Sequence, residues 1–144
     1  MKRQRGFTLV EMLVVIIIIG VLAALVAPQL FQRTGQAKTA AARSQVEMLG
    51  TALEAYRLDN SYFPSSQQGL DALYRKPSSP PVPTNWRGPY VKKPVPKDPW
   101  ARPYRYLSPG KSSPESYDLF SLGRDGKDGG TGEDGDVKSW ETQD

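Results

Sequence analysis

Residues 7–31 read FTLVEMLVVIIIIGVLAALVAPQLF and decide the fold, because the stretch 12–31 has no formal charge. As a helix, these 20 residues span about 30 Å, which is the thickness of the hydrocarbon core of a bilayer. Lys2, Arg3 and Arg5 precede the stretch. By the positive-inside rule the N-terminus stays in the cytoplasm and the rest crosses the membrane, which in a bacterium places it in the periplasm. The sequence therefore predicts a single-pass inner-membrane protein with its C-terminal domain in the periplasm.

The composition of the 144-residue chain excludes several classes of site. There is no Cys and no His, which removes disulfides, thiolate chemistry, His-containing triads and ordinary zinc sites. Any metal site must use oxygen ligands. The formal net charge is +4, and the three basic residues of the N-terminus supply three of these charges. The remaining +1 does not indicate nucleic-acid binding.

The apolar stretch has three interpretations. A cleaved secretory signal fits poorly, because the run is longer than the usual 7–15 apolar residues and Leu25 lies two positions before Ala27. A plain membrane anchor does not explain Glu11, since an acid within the membrane costs roughly 2.5–3.5 kcal/mol. The third interpretation gives this acid a function.

Glu11 can be neutralised by a new amino terminus. Cutting the chain after Gly6 would create an α-amino group on Phe7, four residues from Glu11 and about 6 Å away along a helix. The charge could be satisfied by its own terminus or, better, by that of a neighbouring helix. An acid at this spacing is thus a candidate device for setting the register between many packed copies.

Residues 5–17 (RGFTLVEMLVVII) resemble the class III signal of type IV pilins and pseudopilins. The resemblance implies that a prepilin peptidase cuts between Gly6 and Phe7 and methylates the new N-terminal Phe7. It also implies that Glu11 neutralises the terminus of an adjacent subunit during filament assembly.

Gly20 and Pro28 interrupt the apolar run, since Gly is a weak helix former and Pro removes a backbone donor. Two interpretations stay open. The first is a tolerated kink, which is common in membrane helices. The second, suggested by pilin-like filaments, is that this segment unwinds when subunits pack.

Residues 32–60 continue as an amphipathic helix that extends to about Arg57. One stripe at helical spacing is apolar and is expected to pack on the globular part. The stripe consists of Val46, Leu49, Leu53 and Tyr56.

Residues 61–144 form the globular region. Ser65 and Gln68 resemble a capping box that opens a short second helix over 69–74. The segments 104–107 and 117–120 are strand candidates joined by a Pro/Gly/Ser-rich connection. The sequence predicts an α+β fold in which a long helix packs on a short helix and a small antiparallel sheet.

Several further segments resemble those of the major pseudopilins of type II secretion systems. Together with the leader, this resemblance covers most of the chain. The chain departs from the resemblance at Ala101-Arg102, where relatives often carry Gly-Asn. The resemblance implies a type IV pilin-like fold. The segments are 62–64 (YFP), 68–70 (QGL), 86–90 (WRGPY), 97–100 (KDPW), 103–104 (PY) and 117–123 (YDLFSLG).

The segment 125–136 (DGKDGGTGEDGD) holds five acids, five glycines and one Lys. It is either a solvated tail or a loop organised by a hard cation. Calcium is the best candidate cation, because it accepts six to eight oxygens in irregular geometry. The EF-hand template fails at Lys127, and the match to one RTX repeat is a single copy. Composition alone leaves the alternatives open.

The family resemblance favours the cation, because it implies one calcium ion in a loop at residues 122–137. The ligands that it implies are all oxygens. They are the carboxylates of Asp125, Asp136 and Asp134, the carbonyl of Leu122, and a carbonyl near Gly130 or Thr131.

The predicted organisation is a leader peptide (1–6), a membrane and filament-core helix (7–31), an amphipathic helix (32–60) and a globular region (61–144). The predicted function is that of a structural subunit without catalytic activity, which polymerises into a periplasmic pseudopilus and drives export of folded proteins across the outer membrane. The resemblance implies as partners other copies of the chain, minor pseudopilins, an inner-membrane platform with its ATPase, and the prepilin peptidase. The alternatives are a type IV or competence pilin, and a membrane-anchored periplasmic calcium-binding module that never polymerises.

Overall fold

A computed structural model describes residues 6–141, and the side chains of all of these except residues 29–32. Its first element is a helix of 52 residues, α1 (Leu9–Asn60). By its internal contacts the chain divides between Gly35 and Gln36 into two compact units. Each unit is described separately below.

The first unit is the apolar start of α1. Large apolar side chains between Leu9 and Val26 are all exposed. The helix runs through Gly20 and Pro28 without a break in its assignment, although Pro28 lies inside it. In the single chain this segment is therefore helical, and its unwinding in a filament stays a prediction.

The second unit is built on the amphipathic part of α1. All four residues of the predicted stripe are buried, with relative exposures between 0% and 4%. Residues from the rest of the unit, such as Leu73 and Leu119, belong to the same core cluster. The helix ends at Asn60 because Ser61 adopts a positive φ of 67°, which a helix cannot continue. The predicted stripe is confirmed, and the helix is three residues longer than the predicted end at Arg57.

The short second helix is present as a 3-10 helix, Gly69–Leu73. Before it, Ser65 N donates to Gln68 Oε1 at 3.0 Å and Gln68 N donates to Ser65 Oγ at 3.2 Å, which is the reciprocal pattern of a capping box. Gly69 has a φ of +61°, outside the α-helical region. The cap therefore leads into a tight 3-10 turn rather than a regular α-helix.

The sheet has three antiparallel strands in the order β1 (Arg105–Leu107), β2 (Asp118–Ser121) and β3 (Val137–Lys138). The first two strands lie within one residue of their predicted positions, whereas β3 was not predicted. Ser121 pairs with Val137, so the segment 122–136 begins and ends on neighbouring strands. The acidic segment is thus a loop closed at its base by the sheet.

Candidate functional site

The predicted processing site lies directly before α1. Gly6 and Phe7 have no regular secondary structure, and Phe7 is 74% exposed. The bond between them is therefore accessible to a peptidase. Cleavage and methylation at this bond remain predictions.

Glu11 takes part in a second capping box, at the start of α1. Glu11 N donates to Thr8 Oγ1 at 3.2 Å, and Thr8 N lies 3.5 Å from Glu11 Oε2. Thr8 is therefore the N-cap residue and Glu11 the third helical residue. This role was not predicted from the sequence, although Thr-x-x-Glu before an apolar run is a recognised signal for it. Glu11 has a local structural role besides its predicted role in assembly.

The helix that follows is long and apolar enough to cross a membrane, judged by length and composition. The most apolar 18 residues of this helix are not buried against the rest of the described residues. The core helix of a soluble protein, in contrast, is mostly buried. A signal sequence near an N-terminus can have the same length and composition.

The turn 98–102 holds the base of the C-terminal loop. Asp98 Oδ2 accepts a hydrogen bond of 2.6 Å from Ser121 Oγ at the end of β2. Trp100 Nε1 donates to Glu133 Oε1 at 3.0 Å. Arg102 Nη1 donates to the carbonyl oxygens of Gly123 and Arg124. The turn therefore fixes both the entry to the loop and one of its acidic residues.

The two sides of the loop contact each other through their backbones. Arg124 N donates to Glu133 O at 2.9 Å, and a Cβ built on Gly123 would lie 2.6 Å from Gly135 O. A Cβ built on Gly130 would lie 2.5 Å from Asp134 O. Only residues without side chains allow such close backbone approach. The structure thus brings the segment after Leu122 together with residues 130–136.

The candidate carboxylate ligands differ in their surroundings. Asp125 is exposed, and its Oδ1 accepts a hydrogen bond from Lys127 N. Asp134 is held by Arg124, which also lowers the pKa of Asp134 through two hydrogen bonds of 2.8 Å. The Asp136 side chain is 5% exposed, and its Oδ2 accepts from Gly129 N at 2.9 Å. Among residues 6–141 no three acidic side chains form a cluster that could hold a metal ion.

Two family models match this chain. The model described as type II secretion system (T2SS), protein G, covers residues 29–140. The model of the prokaryotic N-terminal methylation motif covers residues 1–27.

The chain belongs to the type II secretion system protein G family.

Curated relatives and a solved structure agree with this family. The type II secretion system core protein G of Pseudomonas aeruginosa is 49% identical over 141 residues, which cover 97% of each chain. The protein of the same name from Vibrio cholerae is 45% identical over 145 residues, which cover 100% of this chain and 97% of the relative. A crystal structure of the major pseudopilin from the type 2 secretion system of enterohaemorrhagic Escherichia coli matches with a TM-score of 0.65 and 36% identity. The match covers 78% of this chain and 95% of that one.

Membership confirms the family, fold and function that the sequence predicted. This protein G family member has an α+β, type IV pilin-like fold. It is a structural pseudopilus subunit of the type II secretion system and not an enzyme. Its apolar first helix and methylation motif fit a membrane-anchored pseudopilin. The roles predicted for the site residues, and the calcium ion, stay predictions.

The loop of this pseudopilin has one feature that fits a cation. Asp136 Oδ1 is buried and has no hydrogen-bond partner among the described residues. A buried carboxylate oxygen without a partner is costly, and a bound cation would offset that cost. Gly129 N donates to the other oxygen of Asp136, and Lys138 Nζ lies 3.7 Å from that oxygen. In the part of the chain that the structure describes, this single orphaned oxygen, and not an assembled cluster of carboxylates, is what fits a hard cation.

Proposed function

We propose that this pseudopilin is processed between Gly6 and Phe7, waits in the inner membrane and then assembles into a helical homopolymer in the periplasm. The observation that carries the proposal is an exposed apolar helix with one acid, Glu11, close to the bond that processing would cut. Packing many copies side by side removes this apolar surface from lipid without exposing it to water. Growth of the polymer drives folded proteins across the outer membrane.

The position of Glu11 supports a contact with the terminus of another copy. In the single chain its carboxylate makes a long contact of 3.5 Å to Thr8 N, which leaves it able to accept a stronger donor. A protonated amino group is such a donor, since hydrogen bonds between charged groups are roughly twice as strong as neutral ones. The new amino group on Phe7 of a neighbouring copy would supply it.

The experiment must separate this contact from the capping box. Glu11→Gln keeps a residue that can cap the helix but removes the charge. Thr8→Ala removes the cap, at a cost of about 1 kcal/mol, but keeps the charge. We expect Glu11→Gln and Glu11→Ala to lose filament formation and secretion, and Thr8→Ala to retain both in large part. Filaments are counted by electron microscopy, and secretion of a folded substrate is measured in the same cells.

Glu11→Gln that polymerises and secretes like the wild type would show that Glu11 acts as a helix cap alone. Mass spectrometry of the mature N-terminus tests the processing step. A methylated Phe7 is expected, and an intact Met1 would contradict the proposal.

We further propose the partners that the family resemblance implies. They are minor pseudopilins in the same filament, an inner-membrane assembly platform with its cytoplasmic ATPase, the prepilin peptidase, and inner-membrane lipid before assembly. The support for them is the protein G family membership together with the methylation motif.

We also propose that the loop 122–137 holds one calcium ion. Calcium, when bound, would supply a double positive charge among oxygens that otherwise repel one another. Asp136 would provide the buried carboxylate, with Asp125, Asp134 and the carbonyls of Leu122 and of Gly130 or Thr131 as further ligands. Asp136 Oδ1, which has no hydrogen-bond partner among the described residues, supports a cation at this acid. Titration of the wild-type chain with calcium chloride in a calorimeter tests it.

A further inference from the structure

The Arg124–Asp134 pair has the geometry of a two-pronged ion pair. Arg124 Nε and Nη2 donate to the two carboxylate oxygens of Asp134, each at 2.8 Å. Arg124 Nη1 also lies 3.4 Å from Glu133 Oε2. Two parallel hydrogen bonds of this kind occupy both oxygens of the carboxylate. Asp134, a candidate ligand of the calcium ion, is therefore already bound by the positively charged side chain of Arg124.

The backbone under Arg124 is fixed by a second arginine. Arg102 Nη1 donates to Gly123 O at 2.9 Å and to Arg124 O at 2.5 Å. Gly126 leaves room for this guanidinium, since a Cβ at that position would lie 2.7 Å from Arg102 Nε. Arg102 thus holds the peptide that presents the Arg124 side chain to Asp134.

Asp136 is a second acid of the loop that is a candidate ligand of the calcium ion, and its side chain is buried. Its side chain is 5% exposed, and its Oδ2 lies 3.7 Å from Lys138 Nζ. Its Oδ1 is buried without a hydrogen-bond partner in the part of the chain that the structure describes. The loop therefore combines an acid whose two oxygens are both bound by Arg124 with a buried acid that Lys138 approaches at one oxygen and that keeps the other oxygen without a hydrogen bond among the described residues.

We propose that Arg124 is an internal competitor of the calcium ion, which holds Asp134 in the metal-free loop and releases it when calcium binds. The proposal rests on the proposed calcium site and assigns its regulation. Binding is then an exchange, in which Asp134 leaves a guanidinium and turns to the ion that Asp136 attracts. The arginine keeps the loop folded at low calcium and lowers the affinity for the metal.

The experiment is a calorimetric titration of the full chain in detergent micelles with calcium chloride, at 0.15 M salt. Arg124→Gln is expected to bind calcium roughly two- to fivefold more tightly than the wild type, the range given by an exposed ion pair. Arg87→Gln makes the same change in net charge at an exposed position of another segment and is the matched control. Its affinity is expected to equal that of the wild type.

A double-mutant cycle with Asp134→Asn identifies the partner of Arg124. Asp134→Asn is expected to weaken calcium binding, and Arg124→Gln in that background is expected to change the affinity little. An undiminished gain in that background would mean that Arg124 acts through its charge alone, which overturns the proposal.

Melting in EDTA gives a readout that does not depend on calcium. Arg124→Gln is expected to melt at a lower temperature than the wild type in EDTA and to recover more on addition of calcium. Equal calcium affinities of the wild type and Arg124→Gln would overturn the exchange while leaving the calcium site in place. Absence of calcium binding in both proteins would overturn the calcium site as well.

Discussion

Ala101 lies in the left-handed region of backbone conformation, with a φ of 66°. It stands in the turn that holds the base of the loop, where Asp98 Oδ1 accepts from Trp100 N at 3.1 Å and from Arg102 N at 2.8 Å. These hydrogen bonds impose the conformation on Ala101, although its Cβ disfavours it by roughly 1–2 kcal/mol. The family resemblance gives a glycine at this position in many relatives, and glycine adopts the conformation without strain.

Ala101→Gly is therefore expected to stabilise the protein. The relief of strain exceeds the added entropy of glycine in the unfolded chain, about 0.4–1 kcal/mol, and leaves a net gain of about 0.5–1 kcal/mol. This corresponds to a rise of about 2–5 °C in a thermal melt. Ala41→Gly on the exposed side of α1 is the control, because there the same change costs about 1 kcal/mol. A destabilised Ala101→Gly would contradict the assignment of strain.

At the scale of secondary-structure elements, one buried acid organises the connection between β1 and β2. Asp118 at the start of β2 is 2% exposed. Its carboxylate accepts hydrogen bonds from the backbone N–H groups of Lys111, Ser112 and Ser113, at 2.8, 2.8 and 3.1 Å. One side chain thus satisfies three donors of the connecting turn.

Asp118→Ala is expected to destabilise the second unit by roughly 3–4 kcal/mol, because hydrogen bonds to a charged group are worth about 1.5–3 kcal/mol and their donors would be left without partners. Asp118→Asn keeps one acceptor oxygen and should lie between alanine and the wild type. Denaturant unfolding followed by circular dichroism measures all three. Asp71→Ala, at an exposed site, should stay within about 0.5 kcal/mol of the wild type.

Periodicity and turn signals were sufficient to predict α1, its buried stripe, the capping box at Ser65 and two of the three strands. Strand β3 was not predictable from its own residues, because two residues hold no pattern and only pairing with β2 defines it. The Thr8–Glu11 cap could have been read from its spacing. The Arg124–Asp134 pair could not, because it depends on how a glycine-rich loop brings together residues ten positions apart.

At the scale of the whole molecule, burial of tyrosines sets the response to pH. Burial raises the pKa of Tyr56 to about 12 and also raises the pKa of Tyr90 and Tyr117. The pKa values of Tyr104 and Tyr106 are raised for the same reason. A group whose pKa is higher in the folded state stabilises the fold below its unfolded pKa, near 10, and loses this contribution as the pH rises through the folded value.

The melting temperature is therefore expected to fall steadily between pH 10 and 12. Tyr56 contributes to this fall, and its Oη is buried without a hydrogen-bond partner among the described residues. Tyr56→Phe thus loses no hydrogen bond and should flatten the alkaline decline while changing stability little at pH 7. Tyr74→Phe, at a half-exposed position, is the control. Thermal melts from pH 6 to 12, with tyrosinate absorption recorded in parallel, decide the outcome.

The order of the elements along the chain has a consequence for biogenesis. The ribosome releases α1 first, while Leu73, Leu119 and Val137, which share the core with Leu49 and Leu53, emerge later and one after another. The apolar stripe of α1 is therefore exposed on the nascent chain until nearly all of the second unit has been synthesised. Protection by a chaperone is most valuable during that interval, and delayed translation of the last strand would lengthen it.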